Sequence, residues 1–302
     1  MLSFRKCLSL LLFTTPFLAF ADNPRQSIDD AWFTGPMLAP SASTLPQGHM
    51  LVEPYLFDNI GPHASTLGSL SYINYGVTDL FTMGLVPFFA HEIPQNGQAS
   101  SGVQVGDIQM LMQYKLTSFN EQTGMPTISA VARETFPTGR FERLDRASNG
   151  MGSGSYQTAL GVFTQDYFWL PNGRILRTRL DVLETFSTGV DLHDVTSYGT
   201  ARGFRGTAFS GPVFFGDLSF EYSVTREWVV AFDVTYGFNA DTKVAGGGVR
   251  WDYGSSRPWG FAPGLEYDWR PDIGVLFAAR FIPSGRNVAP SVAPAIALNM
   301  VF

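Results

Sequence analysis

Residues 294–302 read Pro294-Ala295-Ile296-Ala297-Leu298-Asn299-Met300-Val301-Phe302. Pro294, Ile296, Leu298, Met300 and Phe302 share one face of an extended chain, and Ala295, Ala297, Asn299 and Val301 share the other. Large apolar groups on one side with smaller ones opposite fit a strand whose outer face meets lipid and whose inner face meets a lumen. A soluble domain ending this way would leave a greasy edge open to aggregation, which closure of a barrel removes. The same strand, ending in Phe302, is the expected point of contact with the barrel-assembly machinery.

Working back from that end, the period of two recurs. Between Gly106 and Leu116, Ile108, Met110, Met112 and Tyr114 alternate with Asp107, Gln109, Gln113 and Lys115. Between Val213 and Ser223, Phe214, Leu218, Phe220 and Tyr222 alternate with Asp217, Ser219 and Glu221. Trp228 to Phe238 sets Asp233 inward, and Asp272 to Phe281 does the same with Arg280. Weaker alternation spans 50–57, 67–76, 80–90, 127–136, 155–167, 174–186 and 259–269, giving about twelve strands. The fold class is therefore all-β, an antiparallel up-and-down transmembrane barrel over residues 49–302. Connections alternate in length: short ones such as Val77-Thr78-Asp79 and Arg270-Pro271 face long ones such as Thr188 to Pro212 and Asn239 to Pro258. That asymmetry places the short turns in the periplasm. Tyr114, Tyr167, Phe168, Trp169, Tyr222, Trp228 and Trp269 cluster near the short turns, as an interfacial aromatic girdle would.

The amino terminus carries Arg5 and Lys6 ahead of the apolar run Leu8 to Phe20, followed by Ala19-Phe20-Ala21. This reads as a signal peptide over 1–21, with Sec-type export to the bacterial outer membrane. The run is shorter than the roughly 20 residues a spanning helix needs. The only cysteine, Cys7, leaves with that leader, so no disulfide or structural zinc is expected. Residues 22–48 do not alternate, and form either a periplasmic lead-in or a segment tucked into the lumen. A formal net charge of −6 argues against nucleic-acid binding.

Several short stretches resemble one family. Tyr75-Gly76-Val77-Thr78-Asp79-Leu80-Phe81-Thr82-Met83-Gly84-Leu85, the strand start Gly106-Asp107-Ile108-Gln109, Phe136-Pro137-Thr138-Gly139, Ala262-Pro263-Gly264-Leu265-Glu266-Tyr267 and the closing strand are similar to the outer-membrane family described as transporters of the meta-pathway of phenol degradation. None of these motifs is catalytic. The resemblance implies a barrel that passes small, often apolar molecules, without naming one.

Inward positions collect the candidate lumen-lining residues Asp107, Gln109, Gln113, Lys115, Asp217, Glu221, Asp233 and Arg280. The same phase adds Arg133, Arg177, Arg179, Asp181, Glu266 and Asp268. Mixed signs on facing walls either pair and brace the barrel or line a wet path as a ladder that orders polar solutes. Arg177 and Arg179, two apart on one face, are the first choice for such a ladder. In the long loops, Arg140, Arg143, Arg146, Arg202 and Arg205 are candidates for contact with lipopolysaccharide phosphates.

Hydrolase chemistry needs a nucleophile with a base in reach. His49, His63, His91 and His193 all fall at strand ends or in loops, and His193 beside Asp194 points the opposite way on an extended chain. Gly150-Met151-Gly152-Ser153-Gly154 lacks the following helix that a phosphate-cradling loop requires, and reads as a flexible hairpin loop. The sequence is thus read as a channel or facilitated-diffusion pore for small molecules, without enzyme activity, cofactor or metal. A non-conducting adhesive barrel with ligand-binding loops is the alternative, and an outer-membrane hydrolase the third reading.

Overall fold

The computed structural model describes residues 25–302; the leader at 1–21, with Cys7, lies outside the described residues. The alternating segments become β1 (Met50–Ile60), β2 (Ala64–Thr78), β3 (Phe81–Val86), β4 (Phe88–Pro94), β5 (Gln104–Val105) and β6 (Ile108–Thr117). Next come β7 (Thr127–Phe136), β8 (Gln157–Trp169) and β9 (Ile175–Ser187), then two short strands, β10 (Val190–His193) and β11 (Arg205–Ser210). They are followed by β12 (Val213–Ser223), β13 (Trp228–Asn239), the short β14 (Thr242–Gly246) and β15 (Val249–Asp252), and β16 (Trp259–Arg270), β17 (Ile273–Ile282) and β18 (Ser291–Val301).

All except β10, β11, β14 and β15 belong to one antiparallel sheet, and β1 pairs with both β2 and β18, so the sheet closes. Pro87, which has no N–H to give a ladder, divides one stave into β3 and β4, both of which pair with β2. Counting β3 with β4 and β5 with β6 gives a barrel of twelve staves. At the closing seam the last residue is held by the first strand: Phe302 N–H donates to Met50 O at 2.8 Å, and Met50 N–H returns the bond to Phe302 O at 3.0 Å.

The phase read from the sequence fixes which side is wet. On β12, Asp217, Ser219 and Glu221 are buried while Leu218 is exposed; on β18, Ala297 is buried while Ile296 and Phe302 are exposed. Leu56, Leu85, Leu160, Val230, Phe261 and Phe277 add to an exposed apolar belt around the outside. Such a belt suits hydrocarbon, and a closed ladder leaves no backbone group unpaired within it.

Two loop readings are corrected. The stretches read as long loops at 188–212 and 239–258 carry β10, β11, β14 and β15, which pair as a separate four-stranded sheet. Val190, Leu192, Ala208 and Val244 form its core, with Phe141, Tyr198, Phe204 and Trp251 packed against them. These strands are four to six residues long, too short for alternation to separate them from loop. The Gly150–Gly154 loop is likewise packed: a Cβ on Gly152 would lie 2.2 Å from Gly139 O. The aromatic girdle is also revised, since Tyr167 and Trp169 share the inward phase of buried Gln165. Gln165 Nε2 donates to Tyr167 Oη at 2.8 Å, and Trp169 Nε1 donates to Gln26 O at 2.8 Å.

Candidate functional site

The segment that failed to alternate runs through the barrel. It begins against the short turns, with Gln26 N–H donating to Gly173 O (3.0 Å) and Trp32 N–H to Arg226 O (3.2 Å). It then rises along the β13–β16 wall, where carboxylates accept its donors: Thr34 Oγ1 gives to Asp268 (2.8 Å), Gly35 N–H to Glu266 (3.0 Å) and Met37 N–H to Asp233 (3.1 Å). Side chains of β6, β7 and β9 grip its carbonyls. Arg179 Nη1 donates to Ala39 O (2.5 Å), Gln113 Nε2 to Ser41 O (3.0 Å) and Ser129 Oγ to Ala42 O (2.5 Å). An irregular strand inside a barrel is tolerated only because its polar backbone is satisfied in this way.

The segment leaves the lumen through residues of the longest family-like motif. Thr44 Oγ1 donates to Asp79 O (2.6 Å), Leu45 N–H to Thr82 Oγ1 (2.9 Å), Gln47 N–H to Asp79 Oδ1 (2.9 Å) and Gly48 N–H to Gly76 O (2.8 Å). Gly76 must be glycine here, because a Cβ would stand 2.1 Å from Pro46 O. With Glu266 holding Gly35, two of the motifs quoted from the sequence are docking points for this plug.

One half of the interior is a charged, filled wall. Arg177 binds Glu221 through two nitrogens, Nε at 2.6 Å and Nη2, and stacks over Phe33 at 4.1 Å. Arg179 Nε completes the triad, 3.2 Å from Glu221 Oε2, the oxygen that Arg177 Nε also binds. Arg133 lies 5.3 Å over the Phe163 ring. Asp181, Asp217, Asp233, Glu266 and Asp268 are all buried on the same wall.

The other half holds space. A cavity of about 260 Å³ extends from Pro271, Leu51 and Val301 at the periplasmic end up to Tyr55 and Tyr72. A second, of about 330 Å³, continues from Tyr55 and Tyr72 past Phe57 and Leu70 to Asn59, Ile282 and Ser291 near the extracellular rim. The two share Met37 and Leu38 of the plug and Tyr55 and Tyr72 of the wall. The two rings meet edge to face, 6.0 Å between centroids at 79°. Successive inward residues of β1, namely Leu51, Glu53, Tyr55, Phe57 and Asn59, thus line the two adjoining cavities in turn.

The residues singled out from the sequence divide accordingly. Arg177 and Arg179 border the lower cavity while paired to Glu221, so the pairing half of the earlier alternative describes their contacts. Gln113 holds the plug; Gln109 Nε2 donates to Thr135 Oγ1 at 3.2 Å; Lys115 sits near the periplasmic end of β6, its N–H donating to Leu80 O. Arg280 borders the upper cavity. Asp107 is taken up at the extracellular rim instead of facing the lumen, because its carboxylate accepts from Gly139 N–H (2.9 Å), Ser153 N–H (2.8 Å) and Ser153 Oγ (2.7 Å). Arg140, Arg143, Arg146 and Arg202 in the loops and Arg205 at the start of β11 are exposed, with Arg146 Nη1 donating to Ala99 O at 2.9 Å.

Two of the histidines, His91 and His193, have side chains held by neighbours, and His49 and His63 are exposed. His193 Nδ1 lies 2.7 Å from Glu142 Oε2, and His91 Nδ1 lies 2.8 Å from the Oγ of buried Ser100. Sequence reasoning missed Met37, Leu38, Tyr55, Tyr72 and Phe57. The inward phase of β1 and β2 would have found the last three, whereas nothing periodic marks the plug.

A closed twelve-stave barrel with an apolar outer belt and a polar, occupied interior defines an outer-membrane β-barrel, and the protein resides in the bacterial outer membrane. The chain belongs to the family described as "Putative MetA-pathway of phenol degradation", whose model matches residues 64–292, more than half of its length. Among solved structures it is similar to the COG4313 outer membrane channel from Pseudomonas putida F1, with 15% identity and a TM-score of 0.67 over 88% of this chain and 100% of that one. That likeness carries the fold. The NanC porin (12% identity, TM-score 0.48, 82% of this chain and 98% of that one) and the P. putida toluene transporter TodX (10%, 0.37, 85% and 91%) are more distant. No curated protein matches the chain.

Proposed function

We propose that the protein is an outer-membrane channel for small, largely apolar molecules. The observation that carries this reading is the route along β1, whose upper cavity is lined mainly by aromatic and aliphatic side chains and adjoins a lower cavity of mixed polar and apolar lining at Met37, Leu38, Tyr55 and Tyr72. A few hundred Å³ with aromatic walls suits a small ligand. The charged half of the lumen braces the barrel and anchors the plug, and so leaves no broad watery pore. The plug is held at both ends and along its middle, so passage needs only the two side chains Met37 and Leu38 to move aside.

The test uses the full protein reconstituted in bilayers and expressed in cells with an intact lipopolysaccharide leaflet. Wild type should conduct ions poorly yet speed uptake of a small aromatic hydrocarbon. Met37→Gly with Leu38→Gly should raise single-channel conductance several-fold. Equal hydrocarbon uptake with and without the protein would sink the reading and favour a non-conducting barrel.

The same reading extends to partners. The exposed Arg140, Arg143, Arg146, Arg202 and Arg205 are proposed to meet lipopolysaccharide phosphates, and the exposed Phe302 to be read by the barrel-assembly machinery. Replacing the five arginines with serine should weaken lipopolysaccharide co-purification, and Phe302→Ala should slow insertion.

A further inference from the structure

The upper cavity is apolar on nearly every side, and among the described residues Arg280 is the only charged side chain that lines it. A guanidinium carries five N–H donors and no acceptor. Arg280 uses Nη2 on Thr235 Oγ1 at 3.2 Å, and its buried Nε meets no acceptor. Among the described residues no carboxylate lies within ion-pair distance of it. The position is built: the guanidinium lies over Gly260, where a Cβ would stand 3.2 Å from Arg280 Nε and 2.5 Å from Thr235 Oγ1.

Charge and hydrogen bonding make different demands at this spot. Asp217 and Asp233 on the adjoining wall act on Arg280 through space, and Asp181, Glu266 and Asp268 add to a surplus of carboxylate over guanidinium in that half of the lumen. A full anion entering the cavity would meet that surplus. What Arg280 lacks is an acceptor, not a counter-charge. A donor left without an acceptor in an apolar site favours the ligand that supplies one over its plain hydrocarbon analogue.

Resting on the channel reading above, we propose that the upper cavity is a selectivity site for neutral apolar molecules bearing one hydrogen-bond-accepting oxygen, such as an aromatic ketone, ester or ether. The ring lies against Tyr55, Phe57, Leu70 and Tyr72, and the oxygen accepts from Arg280. Bare hydrocarbons of the same size enter and bind more weakly, and free carboxylates are disfavoured.

The experiment is equilibrium dialysis of radiolabelled ethylbenzene, acetophenone and benzoate against the full protein in lipid nanodiscs, with empty nanodiscs as the blank. Wild type should bind acetophenone about tenfold more tightly than either of the others. Arg280→Met should remove that preference while leaving ethylbenzene binding within twofold, and Arg280→Gln, a donor without charge, should keep part of it. Should Arg280→Met fail to insert, Gly260→Ala displaces the guanidinium by crowding and should have the same effect. An acetophenone preference unchanged in these variants, or benzoate binding most tightly, overturns this inference while the channel reading stands. Binding of none of the three overturns both.

Discussion

Asp181 on β9 and Asp217 on β12 stand directly opposite one another across the strand pair, each 1% exposed, and none of their four carboxylate oxygens receives a hydrogen bond from the protein. Facing like charges in a sheet repel, and buried carboxylates without donors cost stability. Asp217→Asn replaces one of them with a neutral amide that can donate to Asp181. The expected outcome is a gain on the order of 1–3 kcal/mol, read as a higher temperature for loss of the compact, heat-modifiable gel band. A lower unfolding temperature would show that the pair is held by the nearby arginines more strongly than its own repulsion.

Arg177, Glu221 and Arg179 present the opposite case, a buried triad whose charges are satisfied. Removing one partner strands the rest, so Arg177→Met should cost about 3–5 kcal/mol. The triple variant Arg177→Met, Arg179→Met, Glu221→Leu should recover much of that loss, because an apolar trio needs no counter-ion. Urea unfolding of all three proteins in the same lipid makes the comparison. An Arg177→Met barrel as stable as wild type would mean that water reaches Glu221.

The barrel was legible in the sequence because lipid imposes a period of two on every stave. Ile296, Leu298 and Phe302 outside with Ala297 and Asn299 inside declare their stave without help from any neighbour. The plug was not legible, since Thr34, Gly35 and Met37 meet Asp268, Glu266 and Asp233 through single hydrogen bonds to partners about two hundred positions away, and such contacts leave no period. Inward charges were found by phase, yet phase alone could not separate Arg177, tied to Glu221, from Arg280, bonded to Thr235 beside a cavity. The extracellular sheet escaped for a third reason: strands as short as Val190–His193 hold too few side chains for alternation to show.

Asp107 gathers three loop donors at the extracellular rim, from Gly139 and Ser153. Thr138 adds bonds to Ile108 N–H and Gly106 O, so two further family-like motifs converge on one knot. Asp107→Ala strips all three acceptor contacts and should free the segment 139–154 without opening the barrel. Limited proteolysis of the protein in lipid should then cut after Arg140, Arg143 or Arg146 many times faster than in wild type. Heat-modifiability should stay unchanged. Equal cleavage rates would show that Leu144, tied by its N–H to Val195 O at 3.0 Å, secures the loop by itself.

At the periplasmic turn between β16 and β17, Arg270 Nε donates to Asp272 Oδ1 at 2.9 Å, and Nη2 reaches the other oxygen. The hydrogen bond from Arg270, aided by its charge, holds the Asp272 carboxyl below its ordinary range. A carboxyl whose value is lowered on folding favours the folded turn at pH above its unfolded value. That contribution fades as pH falls through the folded value, so the turn loosens in acid and not in alkali. Asp272 O also accepts Val301 N–H at 2.9 Å, which makes the β18 end the place to look. Amide exchange at Val301 should quicken in acid relative to other β18 amides, and Arg270→Ala should remove that acid onset while returning the Asp272 carboxyl to its ordinary range in a carbon-13 titration. An onset that ignores Arg270→Ala would assign the effect to another carboxylate.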